Sequence, residues 1–227
     1  MLLFDIEYKH SCGHKERMPK VLADNEEVVF QEGIPEDPSQ IYELLMGAFA
    51  EQRRSVVKYL VDGEDALQAN EFPKTFELIE AESLSHDEIT LRLSIQFINQ
   101  MSGLENSLSA YSMNILSTPW SEVFKQMDAF IQKIQPFADL IDHVSPYAHS
   151  YNPPWKTKFE KIAQGQANSL AIILSAFENF DPASLSIELE NGLLPVFRKC
   201  LSLFDQEIIP FLKELTAVAQ AEGASNA

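Results

Sequence analysis

Glycine is scarce in this chain, at 8 of 227 residues, and no G-x-G-x-x-G or P-loop pattern occurs. A phosphate-cradling loop needs backbone that approaches its ligand closely, so nucleotide binding of that kind is not expected. Cysteine is scarcer still, with only Cys12 and Cys200, near opposite ends. Two cysteines make no disulfide framework, and a chain of this size can bury a core without one. No G-x-S-x-G motif is present, and no base stands beside a serine or cysteine at nucleophile spacing. Long apolar runs are also missing: the longest uncharged stretch, around Ser169 to Phe177, is too short to span a bilayer. Met1 to Glu7 carries neither the basic nor the apolar region of a signal peptide. A cytoplasmic protein is the expectation.

Basic residues are outnumbered two to one. The 17 Lys+Arg against 34 Asp+Glu leave a formal net charge of −17. Such a surface repels a phosphate backbone and anionic lipid alike, so neither nucleic acid nor membrane is an expected partner. It suits a basic partner, and it keeps the chain soluble. With 45% hydrophobic and 22% charged residues, the composition is that of a folded globular protein.

What is present changes texture at Ser85. The first part, residues 1–84, reads as a small β-β-α-β-β module. Leu2 to Tyr8 alternates as a strand does. Val21-Leu22 and Val28-Val29-Phe30 flank the polar cluster Asp24-Asn25-Glu26-Glu27, which predicts a hairpin. Asp37-Pro38-Ser39-Gln40 supplies a cap, a proline at the first helical position and a capping-box glutamine. Ile41, Leu44, Leu45, Ala48 and Phe49 follow as one apolar face, with Arg53 and Arg54 placed in the last turn, where the helix dipole favours positive charge. Val56 to Val61 reads as a strand turned by Asp62-Gly63, and Phe76 to Ala81 as a further strand.

Residues 85–220 read as an antiparallel bundle of about four helices, with a fraying tail over 221–227. Ile89 to Phe97 alternates strictly, which alone says strand. In a longer window Ile89, Leu93, Phe97, Met101, Leu104, Leu108, Tyr111 and Ile115 continue at steps of three and four, and Ser85-His86-Asp87-Glu88 fits a capping box. One helix through Ile115 is therefore expected. Thr118-Pro119, Asn152-Pro153 and Asp181-Pro182 each mark a helix start. Pro136 should kink the second helix, Ser145 to Pro154 should be a connection, and Pro195 and Pro210 should bend or interrupt the last helix. Phe159, Ile162, Leu170, Ile173, Leu174 and Phe177 form one inward stripe. Leu193, Phe197, Leu201, Phe204, Ile208, Phe211 and Leu215 form another. The overall class is α+β.

Few residue groups could carry chemistry. His10-x-Cys12-x-His14 would point two imidazoles and a thiolate to one side of an extended strand, a start for zinc. No second Cys/His pair is found at ligand spacing, so the set also reads as a basic turn, and no cofactor is expected. Asp139-x-x-Asp142-His143 places acid and imidazole on one helix face, which equally reads as a solvated face near a helix end. The acid-rich stretch Asp62 to Glu88, with Lys74 its lone base, lacks the spacing of a calcium loop. Trp120, Tyr147, Tyr151 and Trp155 cluster around proline turns; they brace a core, or anchor a partner where they are exposed.

The resulting expectation is a non-enzymatic interaction protein, an adaptor, scaffold or chaperone-like factor. It would bind a protein partner through helical apolar surfaces and an acidic face, and a homodimer is possible. The alternative is a small-molecule or metal binder, or an enzyme, with a pocket between the two parts. Arg92, Asp139, His143 and His149 are its candidate lining.

Overall fold

A computed structural model describes residues 19–31, 33–69 and 71–225, with only the backbone described over 220–225. The expected strand at Leu2 to Tyr8 lies outside these residues. The fold is mixed α+β, and the chain divides into two compact units, Met1–His86 and Asp87–Ala227.

The first unit carries a five-stranded sheet in the order β2-β1-β5-β3-β4. β1 (Lys20–Ala23) and β2 (Glu26–Glu27) form the expected hairpin. Asp24 and Asn25 turn it with φ of 51° and 68°, the left-handed geometry that Asp and Asn tolerate best. α1 (Pro38–Glu51) starts on Asp37, whose carboxylate accepts from the Ser39 amide. Its buried face is Pro38, Ile41, Leu45 and Phe49. Leu44, expected inside, is 46% exposed because this face is narrower than the apolar stripe.

The arginines are also placed differently from the expectation. α1 ends at Glu51, Arg53 turns the chain at φ 58°, and Arg54 begins β3 (Arg54–Val61). Sheet pairing and an ion pair with Asp24 outcompete one more helical turn. Asp62 and Gly63 then turn β3 into β4 (Glu64–Asp65), and α2 (Ala66–Ala69) comes next.

β3 buries Val56, Tyr59 and Val61, a set that strict alternation cannot put on one face. The register shift between Val56 and Lys58 explains it: Val57 is an extra residue, and the face changes there. β5 runs Leu78–Ser85, further along than expected, because the Asp62 carboxylate takes the Glu77 and Leu78 amides and holds the strand entry. β5 lies parallel to β1 and antiparallel to β3. Its Ile79, Ala81 and Ser83 face inward, and α1 closes the core against β3.

The second unit is helical and more finely divided than the expected four helices. α3 (His86–Gln100) confirms helix over strand for Ile89 to Phe97. Its buried positions are Thr90, Ser94 and Phe97, so the inward face is rotated from the Ile89–Leu93 line. The single helix through Ile115 is broken by Gly103 at φ 79°, and α4 (Leu104–Ile115) begins anew.

α5 (Trp120–Lys125) is short, and α6 (Met127–Tyr151) is long. Ser145 to Tyr151, expected as a connection, is helical, with Pro136 and Pro146 both inside α6. Buried Val144, Tyr147 and Ala148 hold this end to the core, and packing overrides the cost of each missing amide. Asn152, at φ 47°, ends α6. α7 spans Lys156–Glu178. Ile173 and Phe177 are buried on it as expected, whereas Leu174 is 57% exposed.

From α8 (Pro182–Glu188) onward the chain is one continuous helical run: a π turn over Leu189–Leu193, α9 (Leu194–Leu203), a π turn over Phe204–Ile208, and α10 (Ile209–Ser225). Pro195 and Pro210 each lie just past a π turn. In the first, the Leu194 amide bonds Leu189 five residues back; in the second, Ile209 bonds Phe204. A proline ring crowds the preceding turn, and widening that turn relieves the clash without ending the helix. Each wide turn also rotates the residues beyond it. Leu212 is therefore buried, while Leu215, expected on the stripe, is 37% exposed. α10 continues through most of the expected fraying tail, whose Ala and Glu favour helix.

Candidate functional site

The sequence-predicted residues that are described do not assemble into one site. His10, Cys12 and His14 lie outside the described residues, and among those described no group of His, Cys, Asp and Glu could hold a metal. Tyr147 and Trp155 are buried, at 6% and 1% exposure. Their rings stack at 6.1 Å, Trp155 meets Phe159 edge-on at 5.9 Å, and the Tyr147 hydroxyl donates to Asp87. Tyr151, half-buried, lies 4.7 Å from the Tyr147 ring. These three brace the α6–α7 junction. Trp120 differs: its ring packs on buried Phe177 at 5.7 Å and on exposed Phe180 at 6.2 Å.

The polar candidates are dispersed. Arg92 pairs with Glu88 one turn back on α3, and Asp139 accepts from Gln135. The His143 ring nitrogen meets the Asp139 carbonyl at 2.7 Å, and its ring packs on Phe97 at 5.2 Å. Because α6 continues past Pro146, His143 sits inside the helix and not near its end. His149 stands 4.0 Å from Glu160.

A different region stands out, the seam between α4 and α8. Ser112 and Ser186 are both buried there, and each hydroxyl donates to the other residue's carbonyl, at 3.1 and 3.0 Å. Toward the start of α4, Glu105 meets Arg198 beyond α8, so the two helices run antiparallel. In an antiparallel pair, the residue after each facing position turns to the same flank, since one helix rotates as the mirror of the other. Those residues are Met113 and Ile187. Leu116 lies one turn beyond Met113 at the end of α4, and Phe180, which meets Trp120, stands just before α8.

Exposure singles out the same four residues. Met113 is 70% exposed, Phe180 68%, Leu116 65% and Ile187 60%, above every other large apolar side chain among the described residues. Scattered exposed apolar residues need no explanation, but the most exposed ones all falling on one helix pair and its ends do.

Phe180 adds a backbone argument. It closes α7 at φ 55°, with its own amide on Phe177 and the Asp181 amide on Ala176. This is the helix-end motif whose left-handed position glycine usually fills. A bulky residue there costs about 1–2 kcal/mol through the clash of its Cβ with backbone. The strain places an aromatic ring in solvent, where it returns little to folding.

The charge along the α8 side of the seam is acidic. Glu178, Asp181 and Glu188 run from the end of α7 through α8, and the chain from 162 to 197 contains no lysine or arginine, whereas Glu122 is paired with Lys125 and Glu105 with Arg198. The Asp181 carboxyl is held below its usual range by the Ser184 hydroxyl and amide and by the Ala183 amide, so it stays ionised at the start of α8. This site is hard to find in the sequence because Met113 and Leu116 fall off the inward stripe and read as ordinary surface. The one legible signal is Phe180 between Asn179 and the Asp181-Pro182 helix start, where glycine would be the expected residue.

No helix among the described residues is long and apolar enough to cross a membrane. No family model, curated protein or solved structure matches this chain.

Proposed function

We propose that this chain is a non-catalytic interaction protein that docks a protein partner on the α4–α8 seam of its helical unit. The observation that carries the reading is that Met113, Leu116, Phe180 and Ile187, the most exposed large apolar side chains among the described residues, all lie on the paired helices α4 and α8 or at their ends. Exposed apolar area bordered by charge is what an amphipathic helix needs in order to lie down on a surface. The acidic run from the end of α7 through α8, with no lysine or arginine between 162 and 197, specifies the partner further: an apolar stripe flanked by lysine or arginine. A second copy of this chain would bring carboxylates against carboxylates, which disfavours a homodimer through this face.

Affinity capture with matched variants tests the reading. A partner retained by the native chain and by Leu44→Asp in the other unit, yet lost with Leu116→Asp/Ile187→Asp, is the expected result. Capture that is unchanged by the double variant would defeat it. Sedimentation of the same proteins gives the other arm: a native dimer that dissociates in the double variant would reassign the face to self-association.

A further inference from the structure

The helical unit also carries a groove between α7 and the α9 end of the last helical run. Its volume is about 530 Å³, within the size range of small-molecule sites. The floor is apolar: Ile162 from α7, with Val196 and Leu203 from α9. Gly165 lets the helices come this close, since a Cβ there would stand 3.1 Å from a Val196 methyl carbon. The second π turn forms one wall, with Gln206 and Glu207. Such turns are rare and recur at binding sites.

Charge separates this groove from the rest of the molecule. Lys158, Lys161 and Lys199 all line it, in a chain of net charge −17. Glu207, its carboxylate, is already taken by Lys158, with both oxygens within 2.8 Å of Nζ. Lys161 and Lys199 form no ion pair among the described residues, and both are exposed. Two uncommitted ammonium groups therefore stand at the rim of an apolar cleft.

We infer that this groove binds a small amphipathic anion, an apolar body of medium-chain length ending in a carboxylate. The aliphatic part would lie along Ile162, Val196 and Leu203, and the carboxylate would accept hydrogen bonds from Lys161 and Lys199. Neither half is sufficient alone: ammonium groups at a wet rim contribute modestly, and the floor has no preference among apolar chains. The site is separate from the α4–α8 seam, so the two readings stand or fall independently.

Calorimetric titration of the full chain with decanoate tests the inference, alongside decanol and inorganic phosphate. Decanoate should saturate at one equivalent, with decanol and phosphate each clearly weaker. Lys161→Gln/Lys199→Gln should weaken decanoate roughly tenfold, as expected for two rim contacts. Gly165→Leu should abolish binding by filling the floor, with circular dichroism confirming that the helices persist. Should Gly165→Leu disturb the fold, the lysine pair carries the test, since both side chains are exposed. Equal affinity for decanol and decanoate, an unaffected lysine variant, or no saturable binding would each overturn the site.

Discussion

The two units are held together by different physics. In the sheet unit, directional polar contacts fix the arrangement around a small core. Asp24 alone accepts from the Ser83 amide, the Ser83 hydroxyl and Arg54, while Arg54 also donates to the Ser83 hydroxyl and carbonyl. The Tyr59 hydroxyl donates to the Pro38 carbonyl across the core, and burial together with the Asp37 charge raises its pKa. In the helical unit the apolar core is far larger, from Phe97 to Leu212, and Thr90, Ser94, Ser112, Gln166, Ser169 and Ser186 are buried with it. Its buried polar pairs are few, notably Ser112–Ser186. The sheet unit depends on where its hydrogen bonds point. The helical unit depends on how much apolar area it buries, and so it can spare apolar residues for its surface.

The sharpest break of that contrast is Phe197→Ala. Phe197 is fully buried and meets Phe137 edge-on at 5.3 Å. Its loss should cost about 3–5 kcal/mol by leaving a cavity, read from urea unfolding. Cys200, fully buried one turn along, reports the same event, because burial pushes its thiol up to about 12. In a Cys12→Ser background, thiol labelling should be slow in the native chain and much faster with Phe197→Ala.

The polar counterpart is Asp24→Ala in the sheet unit. It leaves the Ser83 amide and the Arg54 guanidinium without their shared acceptor, for an expected cost of about 1–3 kcal/mol. Asp24→Asn, which tolerates the same left-handed turn, should recover part of that. If both variants matched wild type in denaturant midpoint, the directional account of this unit would be wrong.

Phe180→Gly separates stability from function within the helical unit. Removing the clash at φ 55° should raise stability by up to about 1 kcal/mol, while partner capture falls. A variant that is both more stable and fully competent in capture would strip Phe180 of its proposed role.

Gly47→Ala is a milder probe of the sheet unit. Nothing lies within 4 Å of the added Cβ on the exposed side of α1, so a gain of about 0.5–1 kcal/mol is expected from helix propensity alone. The smallest effect is the pH response of Asp181. Its folded pKa is lowered, so its contribution is present above the unfolded pKa and disappears as pH falls through the folded value. Thermal melts of the native chain and Asp181→Asn should differ at neutral pH and converge in acid.

Much of the local structure could be read directly from residues. Asp37-Pro38 and Asp181-Pro182 cap helices as their chemistry requires, and Asp24-Asn25 and Asp62-Gly63 turn the hairpins. The alternation from Ile89 to Phe97 was legible as helix only over a window longer than the alternation itself. Less legible were features that depend on distant partners. Arg54 leaves the helix for the sheet because Asp24 and Ser83 await it. Ser145 to Tyr151 stays helical around Pro146 because Tyr147 and Ala148 have a core to enter. Extrapolating a 3.6-residue stripe past two π turns misplaced Leu215, since each turn inserts a rotation that periodicity cannot show.

The candidate site obeyed the same division. Its components were visible as ordinary surface residues, with only Phe180 out of place for its position. The amino-acid sequence by itself determined the caps, the tight turns and the apolar periodicity, because these act between residues a few positions apart. The tertiary structure decided the sheet order, the bulge at Val57, the inward faces of α3 and α10, and the pairing of α4 with α8. Each of those depends on which surface lies opposite, and that is set only when remote segments compete for the same buried area.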